Sequence, residues 1–279
     1  MFDFSLTPYS ARLLLANVLL LSLSSCSLQP RQSEEERLAA WLPADVLLLG
    51  EQHDAGAHQR VQQVIVATLA GRGQLAALAL EMADSGTSTA SSPPSASPEQ
   101  VRALLHWDDA AWPWAAYGPV VMTAVRAGVP VLGANLPRSE MRASMSDSQL
   151  DQRLPGPALK AQQQLIRQGH CDLLPEGQIT PMTRIQIARD RRMADTLAKA
   201  VPPGKVVVLI SGSVHADKQL GVPQHLPAGL QVKSVRLLAG GQMLPGESFD
   251  SVWITEALPD KDHCAGLREQ FGKPAAGQR

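Results

Sequence analysis

Short apolar runs alternate along the chain with segments in which apolar residues recur every three or four positions. The clearest run is KVVVLIS at 205–211, and a short apolar run bounded by turn-forming residues predicts a buried strand. Strands that alternate with helices predict an α/β fold built on an open, mainly parallel β-sheet flanked by helices. The other predicted strands are 46–50, 75–80, 129–134, 232–238 and 251–255, and the main predicted helices are 58–70, 99–126 and 181–200.

The predicted elements divide the chain into a polar tether at 26–43, one α/β domain at 44–258 and a C-terminal tail at 259–279. Residues 138–200 contain no convincing strand and are too long for one crossover between strands, so we expect a small helical subdomain there. Residues 84–98 (DSGTSTASSPPSASP) are of low complexity, and we expect a flexible surface insertion without packing side chains.

Residues 1–25 have the pattern of a signal peptide. The apolar run at 13–23 is shorter than the roughly 20 residues that a membrane span requires. It ends in LSSC (23–26), which resembles a bacterial lipobox, where cleavage leaves Cys26 as an acylated N-terminus. Ser27 favours anchoring in the outer membrane. A buried N-terminal helix is the alternative for this segment.

Composition narrows the classes of protein. The 25 Lys and Arg against 26 Asp and Glu give a net charge of −1, which excludes nucleic-acid binding through bulk charge. With 44% hydrophobic and 18% charged residues, the chain is neither disordered nor a multi-span membrane protein.

The chain has three cysteines, at positions 26, 171 and 264. With Cys26 lipidated, Cys171 and Cys264 remain, and an even number in an oxidising compartment favours a disulfide. Each follows a histidine, so a Cys/His metal site is the alternative, although the usual Cys-x-x-Cys spacing is absent.

Polar residues follow four of the predicted strands: Glu51 and His53 the first, Glu81 the second, Asn135 the third and His215 the fourth. The carboxyl ends of parallel strands share one edge, where ligands bind, so we expect these side chains to converge. Glu and His are ligands of divalent metals and equally the groups of acid–base catalysis. The general polarity of loops is the competing explanation.

These residues carry a family resemblance. The Gly-x-x-His motifs at 50–53 and 212–215, together with Glu81, resemble the haem-binding-uptake/Tiki superfamily, and more specifically its ChaN-type haem-binding lipoproteins. Six segments spread over about residues 44–240 carry this second resemblance, in the same order. They are LLLGEQHDAGAHQRVQQ (47–63), ALALEM (77–82), WPWAAYGPVV (112–121), PVLGANLPR (130–138), RIQIARDRRMA (184–194) and VLISGSVHADKQLGVPQHL (208–226).

The resemblance implies haem bound as a cofacial pair at a homodimer interface, each iron held by a tyrosine, with His and Lys of the partner chain on the propionates. Of the two tyrosines, Tyr9 leaves with the signal peptide, so Tyr117 is the expected iron ligand. A buried core tyrosine is the alternative. His215 and Lys218 are expected on the propionates, with Arg138 as a substitute. The other expected haem-site residues are Glu51, His53, Glu81 and Asn135, and His53, His58, His106 and His170 are alternatives for the propionates.

Three functions stay open from the sequence. The first is a palmitate-anchored lipoprotein that binds haem without turnover, in haem or iron uptake, with an outer-membrane haem receptor as a further partner. The second is a Tiki-type hydrolase whose strand-end Glu and His side chains hold a divalent metal that activates water. The third is a periplasmic binding or scaffold protein whose polar network is structural. The resemblance favours the first.

Overall fold

The computed structural model describes residues 34–243 and 245–271, so the predicted signal peptide and Cys26 lie outside the described residues. All six predicted strands form one sheet of order β3-β2-β4-β1-β5-β6, in which every neighbouring pair is parallel. This confirms the predicted α/β class. The strands are β1 (Val46–Glu51), β2 (Leu75–Asp84), β3 (Val131–Asn135), β4 (Val206–Gly212), β5 (Val232–Ala239) and β6 (Ser251–Thr255).

Helices cover both faces of the sheet, and three of them (α5, α6 and α7) fill the connection between β3 and β4, where the small helical subdomain was expected. None of the helices within the described ranges has the length and apolar character to cross a bilayer. The helices are α1 (Glu34–Trp41), α2 (Gly56–Gly71), α3 (Pro98–Leu104), α4 (Trp114–Arg126), α5 (Arg138–Ser146), α6 (Gly156–Gly169), α7 (Glu176–Ala200), α8 (Ser213–Ala216) and α9 (Ala265–Phe271), with 3₁₀ turns at Ser148–Gln152 and Val222–His225.

The core lies on both sides of the sheet, which explains the continuous apolar runs in the sequence. In β1, Leu47 and Leu49 belong to the cluster on one face, whereas Val46 and Leu48 belong to the cluster on the other. Successive strand side chains point to opposite faces, so a strand covered on both faces has to be apolar at every position.

The expected tether ends earlier than the sequence suggests. Residues 34–41 form α1, whose Leu38 and Trp41 are 1% and 4% exposed in the main core cluster. The Trp41 ring lies 5.9 Å from that of Trp253 on β6. Two apolar residues three positions apart are enough to dock a short helix, so residues 34–41, expected in the tether, are part of the packed domain.

The expectation that 84–98 has no packing side chains is wrong. Thr89 and Ala96 are each 3% exposed. Thr89 exchanges backbone and side-chain hydrogen bonds with Val131, and Gly133 donates its N–H to the Thr87 carbonyl. An edge strand leaves a row of backbone groups unpaired, and this segment satisfies those of β3 without needing apolar side chains.

The predicted disulfide is confirmed. Cys171, in the turn after α6, is bonded to Cys264, just before α9, with a Cα–Cα distance of 5.8 Å and 93 residues of separation. The bond consumes both thiols, so they are not metal ligands. It ties the C-terminal segment to the helical subdomain.

Replacing both cysteines, as Cys171→Ser with Cys264→Ser, should lower the free energy of unfolding by about 4 to 5 kcal/mol, because the reduced chain regains the entropy of a long open loop. Denaturant unfolding of the variant against the oxidised wild type measures the difference. Wild type treated with a reductant should match the variant, and equal stability of oxidised wild type and variant would contradict the prediction.

Candidate functional site

The carboxyl ends of β1, β4 and β2 bring the predicted acidic and imidazole side chains together. These strands are neighbours in the sheet, with Glu51 opposite Gly212 in the register. Glu51, Glu81 and His215 are 2%, 4% and 4% exposed, so the polar groups lie inside the protein. They form two hydrogen-bonded groups, one centred on His215 and one on Glu51.

In the first group, His215 lies between two carboxylates. Its Nδ1 is 2.6 Å from Oδ1 of Asp190 and its Nε2 is 3.4 Å from Oε1 of Glu81. Gly212 donates its backbone N–H to the other Glu81 oxygen at 2.7 Å. A Cβ on Gly212 would lie 2.9 Å from Nε2 of His53, so the chain is close to His53 here and glycine provides the room.

In this group the positive imidazole and the negative carboxylates stabilise each other's charged form. Burial lowers the pKa of His215, but the Glu81 and Asp190 carboxylates outweigh it and raise that pKa to about 10. Burial opposes ionisation of Glu81, yet His215 holds its pKa well below the ordinary value. Burial raises the pKa of Asp190 to about 6 despite the attraction of His215. Near neutral pH an imidazolium is therefore paired on both sides, and neither of its N–H groups is left for a ligand.

Asp190 was not among the residues predicted for the site. It lies on α7, three positions from the buried Ile187 and three from the buried Met193, and is 0% exposed. An acidic residue on an apolar helix face requires a buried partner, and this signal could have identified it.

In the second group, Tyr117 donates its hydroxyl to Oε1 of Glu51 at 2.6 Å. His53 Nδ1 lies 2.8 Å from the same oxygen, and Gln62 Nε2 donates to Oε2 at 2.6 Å. Burial and the Glu51 carboxylate raise the pKa of Tyr117 well above its ordinary value, so the phenol is protonated here. His53 Nε2 is 3.9 Å from Oε2 of Glu81, which brings the two groups close to each other.

Aromatic side chains surround Tyr117. The rings of Trp107 and Trp112 each lie 6.1 Å from that of Tyr117, and Trp112 also packs against His53 at 4.9 Å. Asp109 accepts the Trp114 N–H at 2.6 Å, at the start of α4, the helix that carries Tyr117. The hydrogen bond to Glu51 places Tyr117 beside this edge of the sheet.

A cleft of about 230 Å³ opens beside these groups, and Trp112 forms part of its wall. Asn135 and Arg138, both predicted for the site, border it. The Arg138 side chain is 86% exposed, with Asp108 3.9 Å away, and Oδ1 of Asn135 accepts the Leu136 N–H. Other lining residues are Glu81, Asp84, His106 and Arg189.

Lys218 is engaged elsewhere. Its Nζ donates to Oδ1 of Asp250 at 2.7 Å, and it does not line the cleft. Asp217 turns the chain at this point by accepting the N–H groups of Gln219 and Leu220. Within its own chain, Lys218 is therefore paired with Asp250 and lies away from the cleft.

Within the described ranges, no three His, Cys, Asp or Glu side chains are arranged to hold a metal ion. The strand-end carboxylates and imidazoles bond to one another instead. The arrangement gives the metal-site hypothesis no geometric support.

The fold and the site define an α/β protein with a buried Glu–His network at the carboxyl edge of a parallel sheet, next to a cleft that Trp112 helps to form. The chain belongs to the family described as haem-binding uptake, Tiki superfamily, ChaN, whose model matches residues 37–226. This confirms the resemblance found in the sequence.

Comparison with solved structures agrees with this assignment. The chain is 28% identical, with a TM-score of 0.67, to a structure described as cofacial heme binding to ChaN of Campylobacter jejuni; the match covers 79% of this chain and 91% of that one. The type III effector HopBA1 (16% identity, TM-score 0.49, 82% and 96% covered) and RRSP, a MARTX toxin effector domain from Vibrio vulnificus CMCP6 (15%, 0.42, 78% and 37%), are too distant to support a functional argument. No curated protein matches the sequence.

Proposed function

We propose that the protein binds haem at the cleft beside Trp112, with the Tyr117 oxygen as the iron ligand. The observation that carries this proposal is the position of Tyr117, which shares the edge of the sheet with the cleft and is surrounded by tryptophan rings. Tyrosine is an established haem ligand, and aromatic rings suit the faces of a porphyrin. Membership of a haem-binding-uptake family supports the same ligand.

The neighbours of Tyr117 fit the chemistry that iron binding requires. A phenol becomes a good ligand of ferric iron once its proton has left. Glu51 Oε1, 2.6 Å from the hydroxyl, is the atom placed to accept that proton. His53 and Gln62 remain bonded to the Glu51 carboxylate and hold it in position.

For the propionates, Arg138 is the best placed of the three expected cations. It borders the cleft and is largely exposed, whereas His215 is bonded to two carboxylates and Lys218 to Asp250. A guanidinium binds a carboxylate through two parallel hydrogen bonds. We therefore assign a propionate to Arg138, with His215 and Lys218 contributing only if they exchange their present partners.

We further propose that two haems face each other in a homodimer. The cleft, at about 230 Å³, is smaller than the roughly 300–1,000 Å³ of common ligand pockets, so a haem would project from it. A second chain carrying its own haem would cover the exposed face. The description of the Campylobacter jejuni structure supports this arrangement.

Sedimentation during a haemin titration tests the dimer. The haem-free protein should be largely monomeric, and haem should convert it to a dimer with one haem per chain, because the ligand supplies much of the interface. A monomeric one-to-one complex at every protein concentration would contradict the cofacial pair.

The proposed cellular role is haem or iron uptake at the outer membrane, with an outer-membrane haem receptor as the partner that supplies haem. The support is the lipobox-like LSSC at 23–26, which would make Cys26 the lipidated N-terminus of the exported protein. The acylated cysteine would then hold the haem-binding domain at the membrane surface.

Cys26→Ala should move the protein from the membrane fraction to a soluble or unprocessed form, because the acyl chains attached to Cys26 provide the anchor. Each buried methylene contributes about 0.8 kcal/mol to membrane attachment. Fractionation of cells that express either form measures the effect. Ser27→Ala is the matched control and should stay in the membrane fraction, and a Cys26→Ala form that is cleaved after residue 25 yet remains in the membrane fraction would refute the anchor.

A further inference from the structure

The proposed iron ligand is closed off from solvent. Tyr117 is only 1% exposed, although an iron atom has to come within bonding distance of its oxygen. The cleft, in contrast, is open to solvent on its outer side and is bordered by the exposed residues Asp108 and Ala111. Haem can therefore reach the cleft in this conformation, but it cannot reach the hydroxyl.

Trp112 contacts both the cleft and Tyr117. It lines the cleft, and its ring stands edge-on to that of Tyr117, with an interplanar angle of 85°. The same indole packs against His53, whose Nδ1 lies 3.4 Å from the Tyr117 hydroxyl. We propose that Trp112 is a positioning residue that controls access to Tyr117, and that haem reaches the hydroxyl only when the Trp112 ring turns aside. This inference rests on the proposed haem site.

The local structure holds the backbone of Trp112, whereas its indole N–H has no hydrogen bond to any residue that the structure describes. Trp112 donates its N–H to the Asp108 carbonyl at 2.9 Å, and its carbonyl accepts the indole N–H of Trp107 at 2.8 Å. The residue lies in 105–113, between α3 and α4, outside any helix or strand. The ring can thus change rotamer about its own side-chain bonds while the backbone stays anchored.

Access control by Trp112 makes a kinetic prediction. If only a minor open population binds, haem association should level off at high haemin concentration, because turning of the ring limits the rate. Trp112→Ala should remove this limit and raise the plateau rate by about tenfold or more, as expected when the closed state holds most of the population. Trp112→Phe keeps a covering ring and should stay close to the slow wild-type behaviour.

Nitration by tetranitromethane gives a readout that does not involve haem. In a Tyr9→Phe background, Tyr117 is the single tyrosine of the full chain, so the reaction reports its accessibility alone. Trp112→Ala should speed nitration, and Trp112→Phe should not. Trp114→Ala is the matched control, because this indole packs on Trp107 and does not line the cleft.

Different results would refute the haem site and the control of access by Trp112. If wild type forms a haem complex with a tyrosinate spectrum but Trp112→Ala leaves both association and nitration unchanged, access control is refuted and the haem site stands. If wild type gives no such complex, the proposed function is wrong, and the inference about haem access falls with it. Thermal unfolding of each variant verifies that the fold is retained, and Trp112→Leu replaces Trp112→Ala if that variant does not fold.

Discussion

Tyr117→Phe should abolish the tyrosinate absorption of the ferric haem complex and most of the haem-linked dimerisation. The change keeps the ring and its apolar surface but removes the oxygen that binds iron. We expect haem affinity to fall by about tenfold or more, equivalent to about 1.4 kcal/mol or more. Visible spectra and sedimentation during a haemin titration measure both effects.

The variant should remain folded. Losing a buried hydrogen bond to a carboxylate costs about 1.5 to 3 kcal/mol, and Glu51 keeps His53 and Gln62 as partners. Tyr9→Phe is the matched control, since it removes the only other tyrosine, and it should bind haem as wild type does. Unchanged spectra and dimerisation of Tyr117→Phe would place the iron elsewhere.

His215→Gln should lower the free energy of unfolding by about 3 to 5 kcal/mol. The substitution removes the imidazolium that pairs with the buried Glu81 and Asp190 carboxylates, so each acid is left either charged and unpaired or forced to take up a proton, which is strongly destabilising. Adding Asp190→Asn to His215→Gln should cost less than the two single changes together, because Asp190 has already lost its partner in the His215→Gln variant. Denaturant unfolding at neutral pH measures His215→Gln, Asp190→Asn and the double variant, and a loss in the double variant that is the sum of the single effects would contradict the coupling.

The same group predicts a pH dependence. The pKa of His215 is raised from 6.5 to about 10 in the folded state. Its contribution to stability is therefore complete below the unfolded pKa and is lost as the pH rises through this interval. Wild type should lose stability from about pH 6.5 to 10 more steeply than His215→Gln, and parallel profiles would show that the imidazolium is not paired as described.

The sheet and the strand-end residues could be predicted from the sequence because the physics that forms them is local. A strand buried on both faces has to be apolar throughout, and parallel strands bring their carboxyl ends to one edge. The convergence of Glu51, Glu81 and His215 follows from that rule alone. Glu81 contacts His215 at 3.4 Å, and it lies 3.9 Å from His53, which is bonded to Glu51. The same reasoning could not decide what the site binds.

The contacts that the sequence did not predict all join segments that are far apart along the chain. Asp190 and Gln62 lie on helices, where a polar residue normally faces solvent, and only the strand ends opposite them explain their burial. Thr89 packs through backbone pairing at an edge strand, which composition does not reveal. A turn at Asp217 directs Lys218 to Asp250, and its spacing from His215 does not reveal this contact.

The central claim is that Tyr117 holds the haem iron, and resonance Raman spectroscopy of the ferric complex tests it most directly. The measurement uses the full chain with Tyr9→Phe, grown with ring-deuterated tyrosine, so that Tyr117 is the single labelled side chain. We predict enhanced iron–phenolate vibrations that shift on labelling. A haem complex whose iron–ligand vibrations do not change with the label would contradict the account.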